Sequence, residues 1–326
     1  MSGPSAWALV GDIGGTNARF ALVDMVDGEP RLTRPLRLAD DDFPGPVEAI
    51  EAYLREVGAA RPACAMLAVA GPVGEGRAQL TNRPGWRFSV EALLAAGFSE
   101  AGLVNDFQAL GWAARRLMSE GSAPLGPPLQ GDPFAPVTIM GPGTGFGAAV
   151  AHSGAHGTTV TATEAGHMGY APVDELETDL VRRLGREGRV TVERLLSGPG
   201  LARLHVALGE IEGRHVEPLA ASEITRIALE APGSDRRITA LRFCAMLGSV
   251  AGDLALANGA RGGVLLTGGV ATRLAPLLPD SDFRARFEAK APLESYVCAI
   301  PTRIVTDPHA ALLGAALALR AGAGPA

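Results

Sequence analysis

Residues 7–23, WALVGDIGGTNARFALV, decide the fold class. Trp7–Val10 and Phe20–Val23 are apolar or β-favouring, and the glycine turn inside DIGGTNAR joins them, so the chain opens as two strands around a tight turn. The pattern returns at residues 137–152, VTIMGPGTGFGAAVAH, again strand, glycine turn, strand. Two such hairpins roughly 130 residues apart point to a duplicated core of related topology rather than a short-period array. Outward from the first hairpin, RLTRPLRL continues as a third strand. PVEAIEAYLREVGA, residues 46–59, places Val47, Ile50, Tyr53, Leu54 and Val57 at helical spacing, and CAMLAVAGP reads as a buried strand. SVEALLAAG is a helix with Ser89 as its N-cap; AGLVNDF is a short strand ending at Asn105 and Asp106, and the helical run QALGWAARRLMS follows.

A proline-rich passage, residues 119–136, SEGSAPLGPPLQGDPFAP, marks a domain boundary or a long surface loop. After the second hairpin, TTVTATEAGH gives a third strand running into a loop, and beyond residue 174 the chain is mainly helical. GGVLLTGGV is a buried strand with a glycine turn at Gly268 and Gly269. TRIVTDPHAALLGAALALR reads as one strand and one amphipathic helix, expected to return to the first domain.

The 326 residues fit about two domains. A net charge of −6 argues against a general nucleic-acid binder, which needs a basic face. Lysine occurs once, at Lys290, so neither a P-loop nor the protein-kinase motif set exists here, and Lys290 in RARFEAK reads as part of a solvated helix face. Cys64, Cys244 and Cys298 are far apart, without a C-x-x-C pair; they support neither a disulfide framework nor a zinc site, and fit a reducing cytoplasm. AALLGAALAL, the longest apolar run, is far short of the ~20 residues of a membrane span. The expectation is a cytoplasmic chain with no membrane partner.

Glycine accounts for 42 residues, nearly double the usual ~7%, and it clusters where chemistry is expected. In DIGGTN, residues 12–17, consecutive backbone N–H groups can face a phosphate without a lysine, and Asp12 can hold a magnesium ion through water. A plain hairpin turn accounts for the same letters. GPGTGFG, residues 141–147, offers the same chemistry, with the Thr144 hydroxyl as an extra donor; it leads into a strand, which argues against a dinucleotide fold. Asn105-Asp106 ends a strand, where open α/β sheets place ligand groups. A carboxylate there can accept a hydroxyl proton while the asparagine orients that hydroxyl, and an Asx helix cap explains the pair equally well. TEAGH sets Glu164 and His167 three apart, and Glu193 follows in VTVERLLSGPG; such groups can fix a polyol.

The segments DIGGTNARFAL, AGPV, TNRPGW, NDFQALGWA, GPGTGFG, EAGHMGYAP, ERLLSGPGLARL, LLTGGVATR and DPHAALLGAALAL, in this order, closely resemble the bacterial glucokinase family. The resemblance covers almost the whole chain. It implies a duplicated, actin-like (ribonuclease-H-like) α/β fold, with two α/β domains around a central cleft: residues 1–115 with 306–326, and residues 116–305 with helical additions. It also implies a homodimer that moves the γ-phosphoryl of ATP to the 6-hydroxyl of glucose with Mg2+. Carried over by position, Asp106 is the catalytic base, and Asn82, Asn105, Glu164, His167 and Glu193 contact the sugar. Asp12, Gly14, Gly15, Thr16 and Asn17 form the first phosphate turn, with Asp12 toward the metal. Gly143 and Thr144 belong to the second turn, and Gly268 with Gly269 lies beside the adenosine. TEAGH departs from the G-E-G-G-H of many relatives by one glycine, and no cysteine-rich zinc motif follows His167. Three rivals stand beside this reading. One is a kinase for fructose, mannose or an amino sugar. The second is a sugar-responsive regulator, which would carry a helix-turn-helix ahead of the phosphate motif, where eleven residues precede Asp12. The third is an actin-like filament or chaperone ATPase, against which the sugar-contact residues speak.

Overall fold

The computed structural model describes residues 7–80, 83–154 and 157–323. The chain divides into two compact units, Met1–Arg116 with Asp307–Ala326, and Leu117–Thr306. In the first, β1 (Ala8–Ile13), β2 (Asn17–Val26) and β3 (Glu29–Ala39) form an antiparallel meander. Helix α1 (Pro46–Glu56) leads to β4 (Cys64–Val69), which runs parallel to β1. A small antiparallel sheet of β5 (Val73–Gly74), β6 (Arg77–Leu80) and β7 (Arg83–Ser89) follows, then α2 (Val90–Ala95), β8 (Glu100–Asn105), α3 (Asp106–Trp112) and α4 (Ala114–Ser119). The main sheet has the order β3-β2-β1-β4-β8, with β8 parallel to β4.

Both faces of β1 are covered, so apart from Asp12 the strand is apolar. Leu9 and Ile13 pack with Phe20, Tyr53, Leu67 and Trp86, while Ala8 and Val10 pack with Met66, Ala68 and Val104 against the chain's last helix. Ser89 caps α2 through the Ala92 N–H at 3.1 Å, as its sequence position requires. The small sheet is the element the sequence reading lacked. Its two-residue turn is Glu75-Gly76, with φ of 51° and 68°; a glutamate in that left-handed region is an uncommon signal next to Asn-Gly or Asp-Gly.

The second unit begins with β9 (Ser122–Pro124), β10 (Val137–Pro142), β11 (Phe146–Gly154) and β12 (Gly157–Thr163). Helices α5 (Glu175–Leu184), α6 (Val192–Leu195), α7 (Gly198–Ile211), α8 (Ala221–Glu230) and α9 (Asp235–Ala257) come next. β13 (Gly263–Leu266), α10 (Gly269–Leu274), α11 (Phe283–Glu288), α12 (Glu294–Cys298) and β14 (Thr302–Val305) complete it. Its sheet has the order β12-β11-β10-β13-β14-β9. The first five strands repeat the first unit's scheme, an antiparallel meander followed by two parallel strands. β9 comes out of the proline-rich passage and pairs antiparallel with β14, so that passage is partly sheet. The chain ends in the first unit as α13 (Ala310–Arg320), which packs so closely on α3 that a Cβ on Gly314 would lie 1.8 Å from the Ala109 carbonyl oxygen.

Helix α9, 23 residues long, is apolar enough to cross a membrane by length and composition. It is the second unit's core helix: Phe243, Cys244, Met246 and Ala251 are fully buried in the unit's single large cluster. Lys290 corrects an expectation. Its Nζ donates to the Ser249 carbonyl at 2.9 Å and pairs with Asp253 at 2.6 Å, and its side chain is 10% exposed. The lysine anchors the segment after α11 to α9 instead of facing solvent.

Candidate active site

In the first unit, β1, β4 and β8 are parallel and in register, so Asp12 and the Asn105-Asp106 pair emerge at the same sheet end, two strands apart. At ~4.8 Å per strand the backbones are about 10 Å apart. The turn between β1 and β2 comprises residues 14–17, closed by Gly14 N–H donating to Asn17 O at 3.0 Å. Asn17 donates from Nδ2 to Thr16 Oγ1 at 2.8 Å and accepts from Arg37 Nε at 2.9 Å, which holds its amide sideways across the turn. Gly14 has an ordinary negative-side φ, and an added Cβ would meet only Asn17 O, at 3.5 Å. The hairpin alone therefore does not demand glycine at 14; what glycine leaves is open backbone beside the turn.

Burial pushes the Asp12 carboxyl above its ordinary range, opposed by the guanidinium of Arg19, whose Nη1 lies 2.9 Å from Oδ2. Arg19 thus touches the acidic residue of the first turn directly. The signal was legible, because a four-residue turn at 14–17 makes 13 face 18 and 12 face 19.

Asp106 is the first residue of α3, and burial raises its pKa to about 7, with the nearby Asp12 charge adding to the rise and the Phe107 N–H, 3.0 Å from Oδ1, opposing it. Asn105 is the helix cap. Its Oδ1 accepts from the Phe107 and Gln108 N–H groups at 2.9 and 3.3 Å, and its Nδ2 donates to the Gly71 carbonyl at 3.0 Å. The Asn105 oxygen is spent on the helix and its amide on the Gly71 carbonyl and on Asp106, whose pKa it lowers, so the cap holds the side chain beside the carboxyl.

The second unit supplies a different kind of turn. Residues 143–145 link β10 to β11, with Gly143 N–H donating to Gly145 O and Gly198 N–H donating to Gly143 O, both at 2.8 Å. Ser197 caps α7 through the Gly200 N–H, so the start of that helix is pinned to the turn. Thr144 is exposed, and a Cβ on Gly143 would meet nothing within 4 Å. Beside it, β13 leads through Thr267 to Gly268, the N-cap of α10, and Gly269, its first residue. Gly268 has a φ of 90° and its Cβ would sit 2.4 Å from Pro142 O, whereas Gly269 faces open space. Here the first glycine of the pair is required by the backbone and the second is free to admit a ligand.

Glu164 and His167 flank a single turn of 3-10 helix over Ala165–His167; His167 Nε2 lies 3.8 Å from Glu164 Oε2, and both side chains are exposed. The departure from the relatives' glycine-rich loop is accommodated: the Ala165 methyl joins the hydrophobic core, while at Gly166 a Cβ would lie 2.5 Å from Phe146 O. Backbone bonds from Tyr170 to Val190 and from Val192 to Met168 tie this segment to the stretch carrying Glu193. Fully buried Glu177 secures its far end, accepting from Tyr170 Oη at 2.7 Å and Arg286 Nη2 at 2.6 Å. Glu193 itself is turned toward the glycine turn, its Oε2 accepting from the Phe146 N–H at 2.8 Å. That contact, and the role of Ser197-Gly198, were missed from sequence because both join segments about 50 residues apart. Asn82 lies outside the described residues.

Among the described residues no cluster of three or more His, Cys, Asp or Glu side chains could hold a metal. Mg2+ needs none, since it typically takes one or two carboxylates, waters and substrate phosphates. Asp12, a buried carboxyl at a strand end beside the first turn, is a donor of that kind.

The parts at hand, a desolvated carboxyl beside a glycine turn in one α/β unit and an open neutral glycine turn with a polar loop in the other, are those of a sugar kinase, and known proteins agree. The family profile described as Glucokinase matches residues 9–322. A glucokinase from Caulobacter sp. (strain K31) is 50% identical over 316 residues, 95% of this chain and 94% of the relative. The crystal structure of a glucokinase from an Antarctic psychrotroph superposes with a TM-score of 0.86 at 38% identity, covering 96% of this chain and 98% of the other. A ROK family glucokinase from Streptomyces griseus, solved with glucose and AMPPNP, shares the fold at 19% identity and a TM-score of 0.62, covering 95% of this chain and 97% of the other. The chain belongs to the glucokinase family, and it is an enzyme of the sugar-kinase class.

Proposed function

We propose that this chain transfers the γ-phosphoryl group of ATP to the 6-hydroxyl of D-glucose, with Asp106 as general base. The observation that carries the reading is the Asp106 carboxyl, raised to about 7 at a strand end and held there by the Asn105 cap. A base whose pKa lies near the operating pH combines adequate ionisation with adequate proton affinity. Asp106 takes the hydroxyl proton, and Asn105, Glu164, His167, Glu193 and Asn82 contact the sugar. The turn of Asp12, Gly14, Gly15, Thr16 and Asn17 and the turn of Gly143 and Thr144 serve one triphosphate, with Gly268 and Gly269 beside the adenosine. This requires the duplicated, actin-like arrangement around a central cleft that the resemblance implies. Asp12 would hold Mg2+ through water, and the ion when bound would neutralise phosphate charge. Arg19 opposes the burial that pushes the Asp12 carboxyl up. A homodimer in the cytoplasm belongs to the same reading, supported by the family resemblance and by three free cysteines.

The test is a coupled assay of ADP formation with glucose, omitting sugar, magnesium and ATP in turn, followed by relative kcat/KM over a panel of hexoses. ADP release independent of glucose would reject a sugar kinase, and a larger kcat/KM for fructose, mannose or an amino sugar would reject glucose as the substrate.

A further inference from the structure

We infer that Glu193 is a positioning residue for the second glycine turn as well as a sugar contact, so that one carboxylate ties sugar binding to nucleotide binding within the second unit. The inference rests on the proposed function and deepens it. Its basis is geometric. Glu193 Oε2 accepts from the Phe146 N–H at 2.8 Å, the first amide after the turn. It also fills the space where a Gly145 side chain would stand, 2.5 Å from an ideal Cβ. Gly145 has no unusual φ, so what excludes a side chain at 145 is the carboxylate itself. A charged acceptor on a backbone N–H is among the stronger protein hydrogen bonds and fixes the amide's direction.

The other end of the lever is equally fixed. Thr191 caps α6 through the Arg194 N–H, and the Gly169–Thr191 bridge joins that helix start to the segment after Glu164 and His167. A sugar hydroxyl that draws on the Glu193 carboxylate therefore pulls on the group that orients Phe146 N–H and shapes residues 143–145. Two ligands coupled through one side chain must each change the other's affinity by the same factor.

Calorimetric titration of the full-length chain with AMPPNP, with and without glucose, tests this. Without sugar, Glu193→Ala should weaken AMPPNP about tenfold, the scale of one charge-assisted hydrogen bond. Glu193→Gln keeps an acceptor oxygen for Phe146 N–H and should restore most of that nucleotide affinity while glucose binding stays weak. In both variants the shift of AMPPNP affinity by glucose should shrink. Gly145→Ala should mimic Glu193→Ala by displacing the carboxylate, and the double variant should be no worse than Glu193→Ala alone, because the alanine then has room. AMPPNP affinity in Glu193→Ala within twofold of wild type, or additive losses in the double variant, would overturn the coupling. Absence of AMPPNP binding to the wild type would overturn the functional reading and this inference with it.

Discussion

The two glycine turns occupy corresponding positions in sheets of the same strand scheme, each joining the central strand to its antiparallel neighbour, yet they are built on opposite principles. The first is tuned by charge: Asp12 with Arg19 on it, Asp106 nearby, and Asn17 braced by Arg37. The second carries no charged residue of its own between 141 and 147; close backbone packing sets it, and the one carboxylate at it, Glu193, is brought in from another segment. A Cβ on Gly141 would lie 1.8 Å from Thr267 O, and one on Gly268 2.4 Å from Pro142 O. In the first sheet the comparable intrusion, at Gly11, meets a Leu67 methyl at 2.7 Å, a side chain able to move. The difference teaches that one strand scheme can carry buried charge beside its turn in one unit and a closely packed glycine backbone in the other.

The comparison breaks most sharply at Asp106. Asp106→Ala should lower kcat by at least ~10²-fold with the fold retained, measured by the coupled assay and circular dichroism; near-normal turnover would remove the charged turn's assigned role. In the wild type, kcat should fall as pH drops below about 7, because the protonated carboxyl cannot accept the hydroxyl proton.

The packing half of the comparison is next in size. Gly141→Ala should cost about 3 kcal/mol of stability and Gly11→Ala about 1 kcal/mol, since a backbone oxygen cannot yield and a leucine can. Gly143→Ala should leave the melting temperature unchanged, there being open space at its Cβ. Equal losses at 11 and 141 in thermal denaturation would erase the distinction.

A third test uses the raised Asp106 pKa as a stability term. The native carboxyl binds a proton between pH ~4 and ~7 that the unfolded one has released, so its contribution to stability declines as pH rises through that window. Asp106→Asn should therefore melt higher than wild type at pH 8, with the gain vanishing toward pH 4. The smallest effect is expected from Asp12→Asn: removing the charge that raises Asp106 should move the acid limb of the kcat profile, at saturating Mg2+, to lower pH. A limb that moves up or stays would mean that burial alone sets the base.

Both hairpins, the helix over 46–56, the Ser89 cap and the strand ending at Asn105 were legible in the sequence because each is fixed within a few residues. The same locality explains the gaps. β9 forms only where Ser122–Pro124 meets β14 some 180 residues later, and the β5–β7 sheet hangs on a Glu-Gly turn with weak local preference. Lys290 looked solvated because its neighbours in sequence are charged; its partners lie on α9.

The sequence by itself determined the strand scheme, the placement of two glycine turns at strand ends and the family, since these depend on local pattern and on the order of motifs. Tertiary structure alone decided that the Asp106 carboxyl is raised and that Glu193 holds the Phe146 amide. Desolvation and contact between distant segments are properties of the packed chain, and no window of residues contains them.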